Sequence, residues 1–326
     1  MSQVSTTDYS ASSVPTDTYR SFTEGAATID RLDVGRLRLA GKDAVDLLNR
    51  LSTNELMDLE IGNGLVTILT TNKGRIIDML QVYRLEDELL VNTSVCAAGK
   101  VAEWIDYYTI MEDVQVEDIT SRTTMVSIAG LKAEDALYDS NLPIPKLQSF
   151  ISTTWRDTFL TISRTDFLGI PSYDIVAPAG SVDELWNTMD LEAADREIVE
   201  TVRIQNRIPV YGKELTENYN PHDASLIDYV SFSKGCYIGQ EVITRLNTYD
   251  KVKKQLVGLT WPANADVTEG TQLMLEGKQV GIVTSAITSL GSSNSIGLAY
   301  VQKSLLGTVI GLETESGSPV EINTFA

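Results

Sequence analysis

The chain has 326 residues, enough for two or three domains, and its 43% hydrophobic and 22% charged content is ordinary for a globular protein in water. Its formal net charge of −19 argues against nucleic acid as the main partner, because phosphates would be repelled, although a saline habitat would also favour such a charge. Its apolar runs are far too short to cross a membrane, so no membrane partner is expected.

Cysteine and histidine are too scarce for a conventional metal or cluster site. The chain has only Cys96, Cys236 and His222, which cannot supply four Cys/His ligands. Two cysteines so far apart are weak grounds for a disulfide, so a reducing cytoplasm is the expected location. Residues 1–22, rich in Ser, Thr and Asp, resemble a disordered polar tail and not a secretory signal.

Strands and helices mix irregularly in the region from residue 23 to 250. In chain order the patterns predict a strand at 26–40, a helix from 42, strands at 64–70 and 75–84 around a turn at 71–74, a strand at 89–92, a helix at 100–108, a strand at 125–129, a short helix near 134, strands at 158–163 and 173–177, and helices at 183–189 and 195–206. Since no regular βαβ alternation is present, the α+β class is favoured over a doubly wound sheet.

The final region, residues 251–326, has a different pattern. Short β-rich runs separated by glycines lie at 256–260, 272–275, 279–286, 295–301 and 309–312. That spacing predicts a small antiparallel barrel or sandwich.

Cys236 is the candidate for sulfur chemistry. It precedes a helix predicted to start at 238–239, where unpaired backbone N–H groups would favour a thiolate, and Lys234 and Arg245 would add positive charge. The alternative is a half-buried structural cysteine. For Cys96, in an Ala-rich stretch, the structural role is favoured.

A basic island lies between residues 231 and 255. It contains more cations than anions. The five cations are Lys234, Arg245, Lys251, Lys253 and Lys254, and the two anions are Glu241 and Asp250. Such an island can hold an anionic ligand such as a carboxylate tail, but a solvated connection between domains fits equally well. A nucleic-acid face is disfavoured because aromatic residues are not interleaved with the cations.

The remaining polar candidates do not define a reaction. Tyr83 is predicted to face the core, and Asp78 lies on the opposite face of the same strand. His222 is expected to be exposed, and Glu214 and Glu217 are expected at the surface. Neither a Ser/His/Asp order nor a phosphate-binding glycine loop is recognisable.

The segment Lys234-Gly235-Cys236-Tyr237-Ile238-Gly239-Gln240-Glu241, continued by Arg245, resembles the hallmark of the YgfZ proteins, which is KGCYxGQE followed by an arginine. Other segments resemble the broader superfamily of the glycine cleavage aminomethyltransferase, or T-protein. They lie at 39–44, 51–56, 72–78, 82–84, 207–215, 280–286 and 296–301.

This resemblance implies a three-lobed fold, with two interwoven N-terminal α+β lobes around a central folate site and a C-terminal antiparallel β-barrel. It also implies tetrahydrofolate or a derivative as cofactor, no metal, and a functional thiol at Cys236. The glutamate tail of a folate would suit the basic island. The residues that it assigns to cofactor binding are Tyr83, Gln205, Lys234, Tyr237, Gln240, Glu241 and Arg245.

Departures from the T-protein pattern guide the choice of function. T-proteins carry a catalytic aspartate in the stretch that matches residues 91–101, where this chain has no acid, and Gln205 stands where they have a pterin-binding glutamate. The stretch 166–170 also departs from their pattern, whereas 209–215 resembles it closely.

The preferred hypothesis is a cytoplasmic tetrahydrofolate-binding protein that supports assembly or repair of iron–sulfur clusters in client enzymes. Its expected partners are those clients or assembly proteins. The alternatives are a folate-dependent aminomethyltransferase or demethylase, and an interaction scaffold with a vestigial pocket.

Overall fold

The computed structural model describes residues 22, 24–181, 186–187, 189–287, 294–307 and 311–323. Residues 1–21, nearly all of the predicted tail, lie outside this range. The one tail residue inside it, Phe22, is buried against Ala27 and Ala129.

The described strands are β1 (Ala27–Asp30), β2 (Val34–Ala40), β3 (Gly64–Thr70), β4 (Ile76–Arg84), β5 (Glu88–Val95), β6 (Gln115–Asp118), β7 (Thr123–Ala129), β8 (Phe150–Trp155), β9 (Thr158–Arg164), β10 (Ser172–Pro178), β11 (Lys254–Pro262), β12 (Gln272–Leu275), β13 (Lys278–Ile287), β14 (Asn294–Gln302), β15 (Gly311–Thr314) and β16 (Pro319–Asn323). The α-helices are α1 (Ala44–Leu51), α2 (Ala98–Tyr108), α3 (Ala133–Asp139), α4 (Arg196–Gln205) and α5 (Gln240–Tyr249). Within the described residues, none of the helices has the length and apolar character that a membrane crossing requires.

The first sheet has five antiparallel strands in the order β3-β4-β5-β2-β6. Helix α1 packs on it because its leucines recur on one side, which gives the buried set Leu47, Leu48 and Leu51. Helix α2 contributes Val101 and Ile105 to the same core. The predicted amphipathic pattern of α1 is therefore confirmed.

The second sheet has the antiparallel order β1-β7-β10-β9-β8. Its core includes Ile128, Ile162 and Tyr173, with Leu137 of α3 packed on them. The chain starts in the second sheet with β1, forms the whole first sheet with β2 to β6, and returns to the second sheet with β7 to β10. This exchange interweaves the two N-terminal lobes.

The C-terminal strands close into a six-stranded antiparallel barrel in the order β11-β14-β13-β12-β15-β16. The predicted barrel is confirmed. A separate apolar cluster joins the barrel to the first sheet and to α4, through Leu298 and Tyr300 on the barrel and Ile68, Ile76 and Ile204 opposite. The Tyr300 ring stacks on Tyr219, with 3.5 Å between ring centroids.

Several predicted boundaries are wrong for local reasons. The strand expected at 26–40 is divided by a turn, in which the Asp30 carboxylate accepts a hydrogen bond from the Leu32 N–H at 2.8 Å. Strand β6 has little burial and gives no apolar alternation, and β8, an exposed edge strand, has the same weakness. Strand β16 was also not predicted.

Two predicted elements fall partly on residues outside the described ranges. In the helix expected at 183–189, residues 183–185 and 188 are not described. In the strand expected at 309–312, residues 309 and 310 are not described, and the described part begins β15 at Gly311.

Candidate functional site

A central cavity of about 1040 Å³ lies where the two N-terminal sheets, α4 and the barrel meet. Strands β3, β4 and β5 form one wall, and the loop after β9 and the start of α4 form another. The segments 207–215 and 224–229, together with the end of β13, complete the enclosure. The cavity is therefore enclosed by both N-terminal lobes and the barrel.

The cavity walls are largely apolar. Val66 and Met79 come from the first sheet, Phe167 from the second lobe, and Tyr229 and Ile287 from the segment before α5 and from the barrel. A flat heterocycle can be held by such walls when a few fixed polar groups read its edges.

A buried polar cluster lies at the end of the cavity where the two N-terminal sheets approach each other. The Arg31 guanidinium stacks on Phe167, 3.7 Å from the ring centroid, and lies 3.8 Å from the Asp174 carboxylate. Burial lowers the pKa of Arg31 and raises the pKa of Asp174, while their attraction opposes both shifts. The Ser127 hydroxyl donates a hydrogen bond to Asp174.

Tyr83 points towards this cluster from β4. Its side chain is 3% exposed and its ring packs edge-on against Phe150, with 5.6 Å between centroids. Burial and the Asp174 charge raise the pKa of the Tyr83 phenol, so it remains protonated. The prediction that Tyr83 faces the interior is confirmed.

Three cavity-lining side chains each have a buried atom with no hydrogen-bond partner among the described residues. The atoms are Arg31 Nη1, Gln81 Nε2 and Thr165 Oγ1. Polar atoms buried in this way are rare in native proteins and are satisfied by water or ligand where they occur. The cavity thus offers fixed hydrogen-bonding capacity to an occupant.

Charged side chains line the side of the cavity formed by α4 and the segment after it. Glu200 accepts hydrogen bonds from Arg203 and from Lys213, the latter at 3.1 Å. Burial alone would raise the pKa of Glu200, but these two cations lower it. Burial lowers the pKa of Arg207 to about 10, so its guanidinium stays charged at neutral pH.

The prediction that Glu214 lies at the surface is wrong. Its side chain is fully buried between α4 and the barrel, where it accepts a hydrogen bond from the Ser285 hydroxyl at 2.7 Å and lies 3.4 Å from Arg203. Arg203 also donates to Ser285, at 2.7 Å. Glu217 is exposed, as predicted, in an ion pair with Lys100.

His222 is another residue whose predicted exposure is wrong. It is 7% exposed, and its Nε2 lies 2.9 Å from the carbonyl oxygen of Ile243 in α5. This contact gives the lone histidine a structural partner.

Asp78 lies within β4 behind the cavity wall. One carboxylate oxygen accepts a hydrogen bond from the Ser94 N–H at 3.0 Å, and the other has no hydrogen-bond partner within the described part of the chain. Burial raises the pKa of Asp78 to about 6, against the opposing effects of Ser94 and the Lys100 charge. A carboxyl group that changes protonation near pH 6 is therefore available close to the cavity.

The Cys236 segment forms a surface loop before α5. The helix begins at Gln240, later than predicted, because Gly239 takes a left-handed conformation with φ of +87°. Cys236 is an exposed free thiol. Cys96 is also exposed, which differs from the half-buried position expected of a structural cysteine.

Lys234 has a structural role at the end of α1. Its ammonium is buried and donates hydrogen bonds to the carbonyl oxygens of Asn49 at 2.7 Å, of Ser52 at 3.0 Å, and of Asn54. Burial lowers its pKa to about 8, and the charge of Glu55 opposes this shift. The hallmark lysine thus ties the Cys236 loop to the first sheet's helix.

The other predicted contact residues occupy separate places. Tyr237 is buried against Ile243, and burial raises its pKa to about 12. Gln240 donates to the Gly235 carbonyl at 3.4 Å, whereas Glu241 and Arg245 are exposed.

Gln205 is half-buried at the end of α4. Among the described residues that line the cavity, none is one of the predicted contacts Tyr83, Gln205, Lys234, Tyr237, Gln240, Glu241 and Arg245. Their roles in binding stay predictions.

The basic island does not line the central cavity either. Lys251, Lys253 and Lys254 are exposed, and the Lys254 ammonium lies 5.6 Å from the centroid of the Tyr219 ring. The cations that do line the cavity, including Arg31 and Arg207, were not predicted. A weak signal existed for Asp174, which interrupts an otherwise apolar strand, but nothing in the sequence pairs it with Arg31.

Comparison with known proteins places almost the whole chain in one family. The GCVT N-terminal domain matches residues 7–234, and the glycine cleavage T-protein C-terminal barrel domain matches residues 254–324. A putative chloroplastic transferase of Arabidopsis thaliana is 28% identical over 314 residues, covering 92% of this chain and 72% of that protein. An aminomethyltransferase of Thermotoga maritima is 26% identical over 300 residues, covering 88% and 82%.

The fold agrees with that comparison. The crystal structure of the glycine cleavage system aminomethyltransferase T from Bartonella henselae superposes with a TM-score of 0.81 at 20% identity, covering 92% of this chain and 85% of that one. The predicted three-lobed α+β fold with a C-terminal barrel is therefore confirmed. With both domains matched in order, the chain belongs to the GCVT family of glycine cleavage T-proteins and their relatives.

Proposed function

We propose that this protein binds tetrahydrofolate, or a derivative, in the central cavity and supports assembly or repair of iron–sulfur clusters in client enzymes. The observation that carries the binding proposal is the cavity itself, with apolar walls and buried hydrogen-bonding atoms that have no partner among the described residues. Its volume of about 1040 Å³ is at the upper end of small-molecule pockets, which is enough space for a complete folate.

Tetrahydrofolate, when bound, would supply a carrier for a one-carbon unit. The chain's own residues would hold the flat ring between apolar side chains such as Val66 and Phe167, and would read its polar edges with buried donors. Family membership supports this ligand class, because the curated relatives include aminomethyltransferases.

Cys236 is the residue assigned to the accessory role. Its thiol is exposed and is not among the described residues that line the cavity. Any chemistry at this thiol is therefore directed at another molecule, which in the proposal is a cytoplasmic client enzyme or an assembly protein.

Replacement of Cys236 by alanine tests this accessory role. We expect the variant to fold and to bind tetrahydrofolate as the wild type does, because the side chain is exposed and outside the cavity. The activity of iron–sulfur enzymes in cells that depend on this protein should fall. Cys96→Ala, at the other exposed thiol, is the matched control and should leave that activity unchanged. Equal client activity in cells with either variant would contradict the role of Cys236.

The second candidate is a folate-dependent aminomethyltransferase or demethylase. The buried Asp78 carboxyl, hydrogen-bonded to Ser94 behind the cavity wall, favours it by placing a titratable acid near the stretch that lacks the family's aspartate. Two assays with tetrahydrofolate would support this candidate over the accessory role. One measures demethylation of a methylamine, and the other measures turnover in a reconstituted glycine cleavage reaction. If neither turnover nor folate binding is measured, an interaction scaffold is favoured.

A further inference from the structure

One end of the central cavity contains donors that a ligand must satisfy. Arg31 Nη1, Gln81 Nε2 and Thr165 Oγ1 are buried and have no hydrogen-bond partner among the described residues. Leaving a buried polar group unpaired is unfavourable, because the group loses its hydrogen bonds to water and gains none in the protein. Two of the three atoms can only donate hydrogen bonds and the third can donate one, so an occupant that satisfies them must carry acceptors.

These side chains converge from three elements. Gln81 is on β4, two residues before Tyr83, and so shares its face of the strand. The Tyr83 phenol is close enough to Arg31 and Asp174 to interact electrostatically with both. Thr165 lies two positions before Phe167, the ring on which Arg31 stacks.

The Arg31 guanidinium is positioned to receive an anion. Its central carbon lies 3.7 Å from the centroid of the Phe167 ring, and its Nη1 has no hydrogen-bond partner among the described residues, so this nitrogen can donate to a ligand. The Asp174 carboxylate lies 3.8 Å away, too far for a hydrogen bond, and accepts one from Ser127 instead. Asp174 therefore balances the arginine charge without occupying its donors.

A carboxylate is the group that best matches this arrangement. It has two acceptor oxygens in a plane, which pair with the fork of an arginine in a bidentate manner, and it has no hydrogen that would conflict with the neighbouring donors. A cation is disfavoured by Arg31. A neutral carbonyl would offer only one oxygen to three donor groups.

We propose that Arg31, Gln81 and Thr165 form a carboxylate-binding subsite at this end of the central cavity. The carboxylate belongs either to the glutamyl tail of the folate or to a separate small carboxylic acid bound beside it. Only the first source rests on the proposed folate function. In either case the anion is held inside the cavity and not by the exposed lysines at 251–254.

The first test is calorimetric titration of the wild type and of Arg31→Gln with tetrahydrofolate and with tetrahydropteroate, which lacks the glutamyl tail. If the tail occupies the subsite, loss of the tail weakens binding about tenfold in the wild type, as expected for a charge-assisted hydrogen-bonded pair, and by less than about twofold in the variant. Arg38→Gln, at an exposed arginine on β2, is the control and should behave as the wild type does.

The second test uses glycine, N,N-dimethylglycine and p-aminobenzoylglutamate as probes, in ligand-observed NMR with and without tetrahydrofolate. If a separate acid occupies the subsite, at least one amino-acid probe binds the wild type, and its binding is lost in Arg31→Gln but retained in Arg38→Gln. Arg31 is largely enclosed, so Arg31→Gln also changes the packing around it. Gln81→Glu therefore provides a second variant, which keeps the arginine and repels a carboxylate. It should weaken the same binding about tenfold or more.

The outcomes separate the two claims. The subsite would be overturned, even if tetrahydrofolate binds, by two results together. The carboxylate probes would bind equally to wild type, Arg31→Gln and Gln81→Glu, and removal of the glutamyl tail would weaken binding by the same factor in all three. If tetrahydrofolate does not bind but a small acid binds in a manner that requires Arg31, the proposed function is overturned and the subsite is supported. Binding of no probe at all would overturn both.

Discussion

The role of Lys234 depends on tertiary contacts that its sequence motif does not contain. Lys234 was predicted to contact a ligand or to assist Cys236, yet its ammonium is hydrogen-bonded to three carbonyl oxygens beyond and within the last turn of α1. Spacing along the chain identifies the motif, but the carbonyls that lie opposite it are about 180 residues away and are set by tertiary packing. The same reason explains why the burial of Glu214 and His222 was not predicted.

Asp78 allows a prediction about pH. Burial raises its folded pKa from 3.8 to about 6, so the folded chain holds a proton that the unfolded chain releases between these values. Its contribution to stability is therefore full below pH 4 and is lost as pH rises to about 6, a loss on the order of 3 kcal/mol. Asp78→Asn has no titrating group at this position and shows no such loss. The free energy of unfolding of the variant minus that of the wild type should therefore increase between pH 4 and about 6.

Urea unfolding of wild type and Asp78→Asn at pH 4, 5, 6 and 7 measures the effect. Asp58→Asn, at an exposed aspartate, is the control and should follow the wild type closely. If the wild-type and Asp78→Asn curves run parallel from pH 4 to 7, the Asp78 carboxyl is not perturbed by burial as described.

At the scale of elements, sequence patterns succeeded where one apolar face is buried. Helix α1 was predicted because its buried leucines recur with the helical period, and strands β3, β4 and β9 because they are short, largely buried runs rich in apolar and β-branched residues. Strands β6 and β8 were missed because they are paired by backbone hydrogen bonds at sheet edges and bury little. Hydrogen bonds between backbones produce no periodic pattern of apolar side chains, so such strands cannot be recognised from that pattern.

The loop before α5 gives a prediction for two glycines of the hallmark segment. A methyl group at Gly239 would lie 2.7 Å from both the Thr70 hydroxyl and the Thr71 carbonyl oxygen, at a φ of +87°. Gly239→Ala should therefore lower the free energy of unfolding by about 2 kcal/mol or more.

Gly235→Ala is the matched control in the same loop. A methyl group there meets no atom within 4 Å, so the change should stay within about 0.5 kcal/mol. Both values can be measured by urea denaturation. Equal effects at the two positions would contradict the close approach of this loop to the turn between β3 and β4.

At the scale of the whole molecule, the overall fold could be predicted from sequence, but the composition of the site could not. The segments shared with the T-protein superfamily gave the lobes and the barrel. The cavity, however, takes residues from β1–β2, β4, the loop after β9, α4 and β13, which no local pattern connects. Arg31 and Asp174 come together only because β1 and β10 both pair with β7.

The attachment of the barrel gives a prediction at this scale. Glu214 is buried with Arg203 and Ser285, which join α4 to β13. Glu214→Ala would leave a buried guanidinium short of one partner and should cost about 3 kcal/mol in free energy of unfolding.

Glu217→Ala, at the exposed glutamate three residues later, should change stability by less than about 0.5 kcal/mol. Differential scanning calorimetry and urea unfolding would measure both variants. A loss at Glu217 as large as that at Glu214 would contradict the account of the interface between α4 and the barrel.

The most direct test of the central claim is calorimetric titration with tetrahydrofolate of the wild type and of Val66→Trp, in which an indole fills part of the cavity. Ile151→Trp, on β8 outside the cavity, is the control for a tryptophan on a strand. We expect the wild type and Ile151→Trp to bind one ligand per chain, and Val66→Trp to bind at least about tenfold more weakly. Absence of binding to the wild type, or equal binding by Val66→Trp with its fold intact, would contradict a folate site in the central cavity.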